Sequence, residues 1–190
     1  MSMPSINLDC EKCGYSGSTM VTWGSFNYRT EDQIIPVNRI LGWCLDCDGL
    51  VPIEDFSNSN EILAEIKEIL KPLKIKASKW LSINLFKYQC KNRAESIEKV
   101  EQLATQLNMI VERKGKERCL TCSSINVLPF DGDYRLEYEG LLYKGLKKTG
   151  FIHPSCGGEI IATPNPIRFN MRFEPKYYSP QGKREIDIEK

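Results

Sequence analysis

The sequence predicts an α+β protein in which two small antiparallel β modules flank a central helical segment. Three observations support this prediction. Short cysteine pairs recur at a matched interval near both ends of the chain, the residues between the pairs are rich in β-branched and aromatic types, and the middle carries apolar residues at helical spacing. The predicted parts are residues 1–57, 58–116 and 117–178, followed by a flexible tail, 179–190.

Four short pairs contain seven of the eight cysteines and the only histidine among the 190 residues. Two residues lie within each pair, and 30 residues separate the first pair from the second and the third from the fourth. The pattern is therefore C-x2-C-x30-C-x2-C, followed by C-x2-C-x30-H-x2-C. The pairs are Cys10 and Cys13, Cys44 and Cys47, Cys119 and Cys122, and His153 and Cys156.

This spacing is typical of metal sites. Two sulfurs separated by two residues can bind one ion from a single tight turn, and a second such turn completes a tetrahedron. Sets of four sulfurs, or of three sulfurs and one imidazole nitrogen, indicate zinc. We therefore expect two structural zinc ions, each held by two successive pairs: Cys10, Cys13, Cys44 and Cys47 for the first ion, and Cys119, Cys122, His153 and Cys156 for the second.

The arrangement resembles the zinc ribbon, in which two metal-binding turns lie on short antiparallel strands. The resemblance covers about residues 8–56 and 117–163 and depends on the ligand spacing and on the small or flexible residues after each pair. It implies an additional hairpin or extended loops within each 30-residue interval. Many unrelated functions share this fold, so the resemblance indicates no activity.

Other roles for the cysteines have less support. The opening residues, MSMPSINLDC, lack the features of a signal peptide, so we expect a cytoplasmic location with reduced thiols rather than disulfides. A thioredoxin-type site needs a thiol at a helix start, whereas the residues after Cys13 are rich in glycine and serine. Iron in the all-cysteine set, as in rubredoxin, stays an alternative there. Cys90 is left over and is interpreted as a buried or incidental thiol.

Short strands are expected on both sides of the middle segment. β-branched and aromatic residues place them within 18–29, 33–43, 49–56, 125–130, 134–143 and 159–164. The alternation from Ile167 to Phe173 predicts a half-buried strand or one that adds to a sheet edge. The last ten residues are expected to be disordered.

Two helices are expected in the middle segment. The first spans about 58–72, with Asn58 as its cap, Pro72 as its stop and apolar residues Ile62, Ile66, Ile69 and Leu70 on one face. The second spans about 92–108, with Asn92 as its cap and an apolar stripe at Ile97, Val100, Leu103, Ala104 and Leu107. Residues 73–88 between them are consistent with either a strand or a third helix.

Charge is distributed unevenly although the formal net charge is only +1. Residues 1–57 carry −5, residues 58–118 carry +5 and residues 119–190 carry +1. The basic residues of the middle, interpreted as a solvated face, are Lys67, Lys71, Lys74, Lys76, Lys79, Lys87, Lys91 and Arg93. Zinc binding ionises the thiols and moves the net charge to about −2. This distribution argues against a uniformly basic nucleic-acid-binding protein.

The residue types also argue against an enzyme. If His153 binds metal, no histidine remains for a triad or a general base, and four protein ligands leave no open position on either ion. Neither a phosphate-binding loop nor a dinucleotide-binding motif occurs. Carboxylate-based catalysis stays open, since 25 acidic residues are present.

We therefore expect a non-catalytic module that binds a partner protein, as an inhibitor, an immunity-type protein or an adaptor. The alternative is a nucleic-acid- or translation-associated factor that uses the middle segment and Lys144, Lys147 and Lys148, which lie near Tyr143 and Phe151. An iron-containing electron carrier is a third, less supported class. No apolar run of 18 residues occurs, so no membrane contact is expected.

Overall fold

The computed structural model describes residues 3–73 and 83–185, and of residues 72, 73 and 83–92 it describes the backbone alone. The strands are β1 (Met3–Cys10), β2 (Ser16–Ser18), β3 (Phe26–Arg29), β4 (Ile34–Pro36), β5 (Arg39–Cys44), β6 (Gly49–Glu54), β7 (Val127–Pro129), β8 (Glu137–Glu139), β9 (Leu142–Lys144), β10 (Lys147–Ile152), β11 (Glu159–Phe169) and β12 (Lys176–Tyr178). The helices are α1 (Ser59–Leu73) and α2 (Ile83–Arg113), and Thr19–Thr22 form a short 3-10 helix.

The strands form small, mainly antiparallel sheets, and the predicted α+β class with a central helical segment is confirmed. The strand orders are β10-β11-β1-β2, β12-β3-β4, β6-β5-β7 and the hairpin β8-β9. Among the described strands, only β12 runs parallel to its neighbour, β3. Each of the three larger sheets combines strands from before and after the helices, so the two ends of the chain fold together.

Strand β1 was not predicted, and it contributes most to joining the ends of the chain. It pairs with β11 from Met3 opposite Phe169 to Cys10 opposite Ile160. Its residues alternate in burial, with Ile6, Leu8 and Cys10 facing the core. The sequence signal for this strand is present but short, because Pro4 and the first cysteine pair interrupt it.

Two aromatic cores support the sheets. The first surrounds Trp43, which is fully buried, and includes Leu8, Phe130, Phe151 and Ile160. The second contains Phe26, Tyr28, Val37, Met109 and Tyr178 and joins the β12-β3-β4 sheet to α2. Trp43 thus packs in the core beside the first cysteine pair, whereas Phe26 and Tyr28 belong to a separate core.

The first predicted helix forms over Ser59–Leu73 and continues one residue past Pro72. The predicted capping box does not form: the Asn58 carbonyl oxygen accepts the Ile62 N–H at 3.1 Å, but the Asn58 side-chain oxygen has no partner among the described residues. Ile62 is buried against Leu103 and Ile110 of α2. The predicted apolar face of the first helix therefore packs on the second.

The predicted start of the second helix is wrong. Because α2 begins at Ile83, Asn92 lies inside the helix rather than at its start, and residues 83–88 are helical rather than extended. Residues 74–82, which include Lys74, Lys76 and Lys79, lie outside the described part of the chain. In the predicted stripe Leu103 is buried, while Ile97 is 45% exposed.

The C-terminal region also differs from expectation. Strand β11 continues to Phe169, but residues 170–175 are not in a strand, because the chain leaves the sheet before the alternation ends. Residues 179–185 of the predicted tail form a turn: the Glu185 N–H donates to the Tyr177 carbonyl oxygen at 2.9 Å, and Gly182 is buried. The rest of the predicted tail lies outside the described residues.

A buried ion pair between Glu54 and Arg113 holds the turn over residues 179–185 against the end of α2. Glu54 at the end of β6 is fully buried and contacts the guanidinium of Arg113. The Tyr28 hydroxyl donates to Glu54 Oε1 at 2.7 Å, and the Arg118 backbone N–H donates to Oε2 at 2.9 Å. Arg113 also donates to the Pro180 carbonyl oxygen at 2.9 Å. Burial, and then the Glu54 carboxylate, raise the pKa of Tyr28, so its hydroxyl stays a donor.

Within the described residues, no helix is long and apolar enough to cross a membrane.

Candidate metal centres

The structure brings the eight predicted ligands together in two groups, within each of which all ligand atoms lie within 4.8 Å of one another. The first cluster contains Cys10, Cys13, His153 and Cys156, and the second contains Cys44, Cys47, Cys119 and Cys122. The grouping predicted from successive pairs is therefore wrong. Each cluster takes one pair from residues 1–57 and one from 117–178.

Strand pairing explains this exchange. Cys10 ends β1 opposite Ile160, which follows the His153–Cys156 turn into β11. Cys44 ends β5 opposite Val127 of β7, which follows the Cys119–Cys122 turn. Each cysteine pair therefore faces the pair carried by its partner strand, and not the pair nearest in sequence.

The first cluster holds one imidazole and three thiols. The His153 Nδ1 atom lies 3.0 Å from Cys156 Sγ and 3.3 Å from Cys13 Sγ, and Cys10 Sγ lies 3.4 Å from Cys156 Sγ. His153 is only 4% exposed, and its Nε2 atom is buried without a hydrogen-bond partner in the described part of the molecule. Nδ1 is thus the nitrogen available to a metal ion.

The backbone around the first cluster is arranged for sulfur ligands. The Lys12 N–H points to Cys10 Sγ at 3.5 Å, and the Gly158 N–H points to Cys156 Sγ at 3.4 Å. Gly157 has a φ of +70°, which suits glycine and closes the second turn. A side chain at Gly158 would place its Cβ 2.7 Å from Cys10 Sγ, so this position also requires glycine.

Two backbone N–H groups change the pKa of the Cys10 thiol. Burial raises its pKa, but the N–H groups of Lys12 and Cys13 and the thiol of Cys156 outweigh burial and lower the pKa to about 6. Cys10 is therefore predisposed to the thiolate form, which is the form that binds metal. The Lys12 side chain also joins the two turns of this cluster, because its ammonium group donates to the Cys156 carbonyl oxygen at 2.7 Å.

The second cluster holds four thiols. Cys44 Sγ lies 3.6 Å from Cys122 Sγ, and Cys47 Sγ lies 3.9 Å from Cys119 Sγ. Cys44 and Cys119 are fully buried, while Cys47 and Cys122 are exposed. One side of this cluster therefore faces the core and the other faces solvent.

The Cys119–Cys122 turn directs N–H groups at its first sulfur. The N–H groups of Thr121 and Cys122 lie 3.3 and 3.4 Å from Cys119 Sγ. Ser123 closes this turn with a φ of +65°, and Asp48 closes the Cys44–Cys47 turn with a φ of +48°. Left-handed backbone is uncommon at residues other than glycine. In these two turns it directs the chain back behind the sulfurs.

Without a cation, the four thiols of the second cluster cannot all ionise. Burial raises the pKa of Cys119 to about 11 despite the two N–H groups, and burial and then Cys122 raise the pKa of Cys47. Burial opposes ionisation of Cys122 as well, but the N–H of Ser124 and the thiol of Cys47 outweigh it and lower the pKa. A divalent cation would supply the charge that lets the remaining thiols ionise.

The donor sets fit a tetrahedral ion such as zinc. Bonds of about 2.3 Å to tetrahedral zinc place two sulfurs about 3.8 Å apart, close to the separations in the second cluster. The separations in the first cluster are a few tenths of an ångström shorter, so an ion there would spread its ligands slightly. In both clusters the chain supplies all four donors.

Trp43 links the two clusters, and no sequence pattern predicts this link. The Trp43 ring lies 4.6 Å from the His153 ring and 4.8 Å from the Tyr15 ring, measured between centroids. Trp43 directly precedes Cys44 of the second cluster. The Ser155 hydroxyl also donates to Asp48, which connects the outer turns of both clusters. The two clusters are therefore linked through β5 and through their outer turns.

The lysines considered for nucleic-acid contact are engaged with carboxylates. Lys144 pairs with Glu139 at 2.7 Å and Lys147 with Asp133 at 2.7 Å. Lys148 lies 3.2 Å from Glu11 and 3.3 Å from Glu159. These exposed pairs contribute little to stability, but they reduce the positive potential that a nucleic acid would meet.

Comparison with known proteins gives no match to this chain among protein-family models, curated proteins or solved structures.

Proposed function

We propose that this chain is a non-catalytic protein-binding module stabilised by two structural zinc ions. It would act in the cytoplasm as an inhibitor, an immunity-type protein or an adaptor that docks or neutralises a partner protein. The observation that supports this most is the closed donor set of each cluster, because four protein ligands leave no position for water or substrate on the metal.

Exposed apolar side chains beside the second cluster offer a surface for such a partner. Leu45 is 50% exposed, Ile125 is 56% exposed and Leu128 is 41% exposed. They lie close together in the fold, because the Leu45 N–H donates to the Asn126 carbonyl oxygen at 2.9 Å. Leu128 lies on β7, the last strand of its sheet, and an edge strand can pair with an extended segment of another protein.

The charge of this surface indicates the chemistry of the partner. Asp46 lies in the Cys44–Cys47 turn, where its carboxylate accepts from Asn126 at 3.0 Å. Four thiolates around one divalent ion add a net charge of about −2. A partner surface that combines apolar and basic residues would therefore match this edge.

Affinity capture with matched variants tests the proposal. Leu128→Asp places a charge on the edge strand, and Ile167→Asp places one at another exposed apolar position, 60% exposed. We expect wild type and Ile167→Asp to retain the same protein from native lysate, and Leu128→Asp to retain at least about tenfold less, as for loss of a hot-spot residue. Equal retention by both variants, or no retained protein, would contradict the proposal.

The nucleic-acid-associated alternative has weaker support, because Lys144, Lys147 and Lys148 already pair with carboxylates. Tight retention on heparin with a steep salt dependence, together with failure of protein capture, would favour that alternative.

A further inference from the structure

A groove of about 620 Å³ lies along the segment that leads into β12. Residues 172–177 and 184–185 form its lining, and none of them belongs to either metal cluster. Three of these residues are cationic and two are aromatic: Arg172, Lys176 and Arg184, and Phe173 and Tyr177.

The cations of the groove are not balanced by ion pairs. Among the described residues, no carboxylate lies within ion-pair distance of Arg172, Lys176 or Arg184. Two carboxylates, of Glu174 and Glu185, also line the groove. Glu185, however, is paired with Arg29 at 3.3 Å, so the lining keeps an excess of positive charge.

Lys176 is held among like charges. Its ammonium nitrogen lies 4.7 Å from the centroid of the Phe26 ring, and the Arg39 guanidinium carbon lies 4.5 Å from the same centroid. Burial, and then the charges of Arg184 and Arg39, lower the pKa of Lys176. The mutual repulsion of these cations costs free energy, which a bound anion would offset.

The aromatic lining is held in place. The Arg29 guanidinium carbon stacks 3.7 Å from the centroid of Tyr177, and Phe173 makes an edge contact with Trp23 at 6.3 Å between ring centroids. A planar ring of a ligand could therefore pack against a fixed surface beside the cations.

We infer that this groove binds an organic phosphate of nucleotide size. The phosphate lies between Lys176 and Arg184, and the ring system lies against Phe173 and Tyr177. A guanidinium can donate two hydrogen bonds to a phosphate, and the volume falls in the range typical of small-molecule sites. This site is separate from the protein-binding edge and goes beyond the proposed function.

Tryptophan fluorescence provides the test, because Trp23 contacts the groove residue Phe173. ADP is the probe, pyrophosphate is the competitor and adenosine is the control without phosphate. We expect saturable ADP binding at or below millimolar concentration, displacement by pyrophosphate and no effect of adenosine. Trp23→Phe should remove the signal but leave the heat of ADP binding measured by calorimetry. Failure of ADP to saturate the protein at millimolar concentration would overturn the proposal.

Two charge-removing variants in the same turn make the test specific. Arg184 and Lys183 are both exposed, so either can be replaced by Gln with the fold retained, as checked by circular dichroism. Arg184→Gln should weaken ADP binding about tenfold, as expected for loss of a charge-assisted hydrogen bond, whereas Lys183→Gln should leave it within about twofold. Glu174→Gln should strengthen binding. Equal weakening by Arg184→Gln and Lys183→Gln would show attraction by net charge alone and refute the site.

Discussion

The exchange of cysteine pairs between the clusters leads to a prediction that can be tested by counting metal ions. Cys10→Ser combined with His153→Ala removes two ligands from the first cluster and should leave one zinc ion per chain. Cys10→Ser combined with Cys44→Ser removes one ligand from each cluster and should leave none. Grouping by successive pairs predicts the opposite results, because Cys10 and Cys44 would then share one ion.

The expected effect on stability is large. A structural zinc ion contributes roughly 10–16 kcal/mol of apparent binding free energy, whereas the whole free energy of unfolding of a domain is roughly 5–15 kcal/mol. Loss of one ion should therefore unfold the strands attached to its cluster, while the strands attached to the other cluster are still held by an ion of comparable binding free energy. A second substitution in the same cluster should add little, because the two ligands act as a unit, whereas a substitution in the other cluster should abolish folding.

Native mass spectrometry and elemental analysis of the purified chains measure the metal content directly. His153→Cys is the conservative control, because it converts the first cluster to four sulfurs and should retain two ions. Retention of one zinc ion by the Cys10→Ser/Cys44→Ser chain would refute the grouping. Two zinc ions in the Cys10→Ser/His153→Ala chain would refute the assignment of these residues as ligands.

Three further predictions concern the core and the clusters. Glu54→Gln should lower the free energy of unfolding by about 3–5 kcal/mol in urea titrations, because it leaves a nearly buried guanidinium without its counter-charge. Gly158→Ala should weaken metal retention against a chelator, because its Cβ would meet Cys10 Sγ; Gly14→Ala, which meets nothing within 4 Å, should not. Chelation should shift the fluorescence of Trp43 to longer wavelength, since this fully buried ring packs on His153 of the first cluster; an unchanged spectrum after complete metal removal would contradict that contact.

The types of the metal ligands could be predicted from the sequence, but their grouping could not. Repeated C-x2-C spacing and the single histidine, three positions before Cys156, indicate tetrahedral sites by their chemistry alone. Spacing along the chain is a weak guide to which pairs meet. The loop between Cys13 and His153 spans 140 positions, yet closing it costs only about 1.3 kcal/mol more than closing the loop of about 31 positions from Cys13 to Cys44.

Strand pairing decides the grouping, because the free energy gained by burial exceeds this small difference in the cost of loop closure. Pairing of β1 with β11 buries Ile6, Leu8, Ile160 and Ala162. Full burial of one large aliphatic side chain is worth about 1.5–3 kcal/mol, so this contact exceeds the loop-closure difference. The strand signal of β1 is short and lies directly before the first cysteine pair, which concealed its partner in the sequence.

The helices show a similar limit. Apolar periodicity predicted helical structure and the buried face of α1, but the cap signals misplaced the start of α2, because Asn92 and Glu95 occur inside a continuous helix. The folded turn after Tyr178 depends on the buried contact between Glu54 and Arg113, which lie 59 positions apart. A long-range ion pair of this kind leaves no local pattern in the sequence.

Because each cluster is completed by residues from two distant parts of the chain, neither can close until its second ligand pair has left the ribosome. Cys13 leaves the ribosome 140 residues before His153, which corresponds to about 7–28 s at ordinary rates of translation. During that interval the nascent chain exposes half-sites of two sulfurs each, which are open to oxidation or to weak capture of the wrong ion. Closure of each metal site would thus lag behind synthesis of its first ligand pair, and it would depend on the cell keeping the waiting thiols reduced.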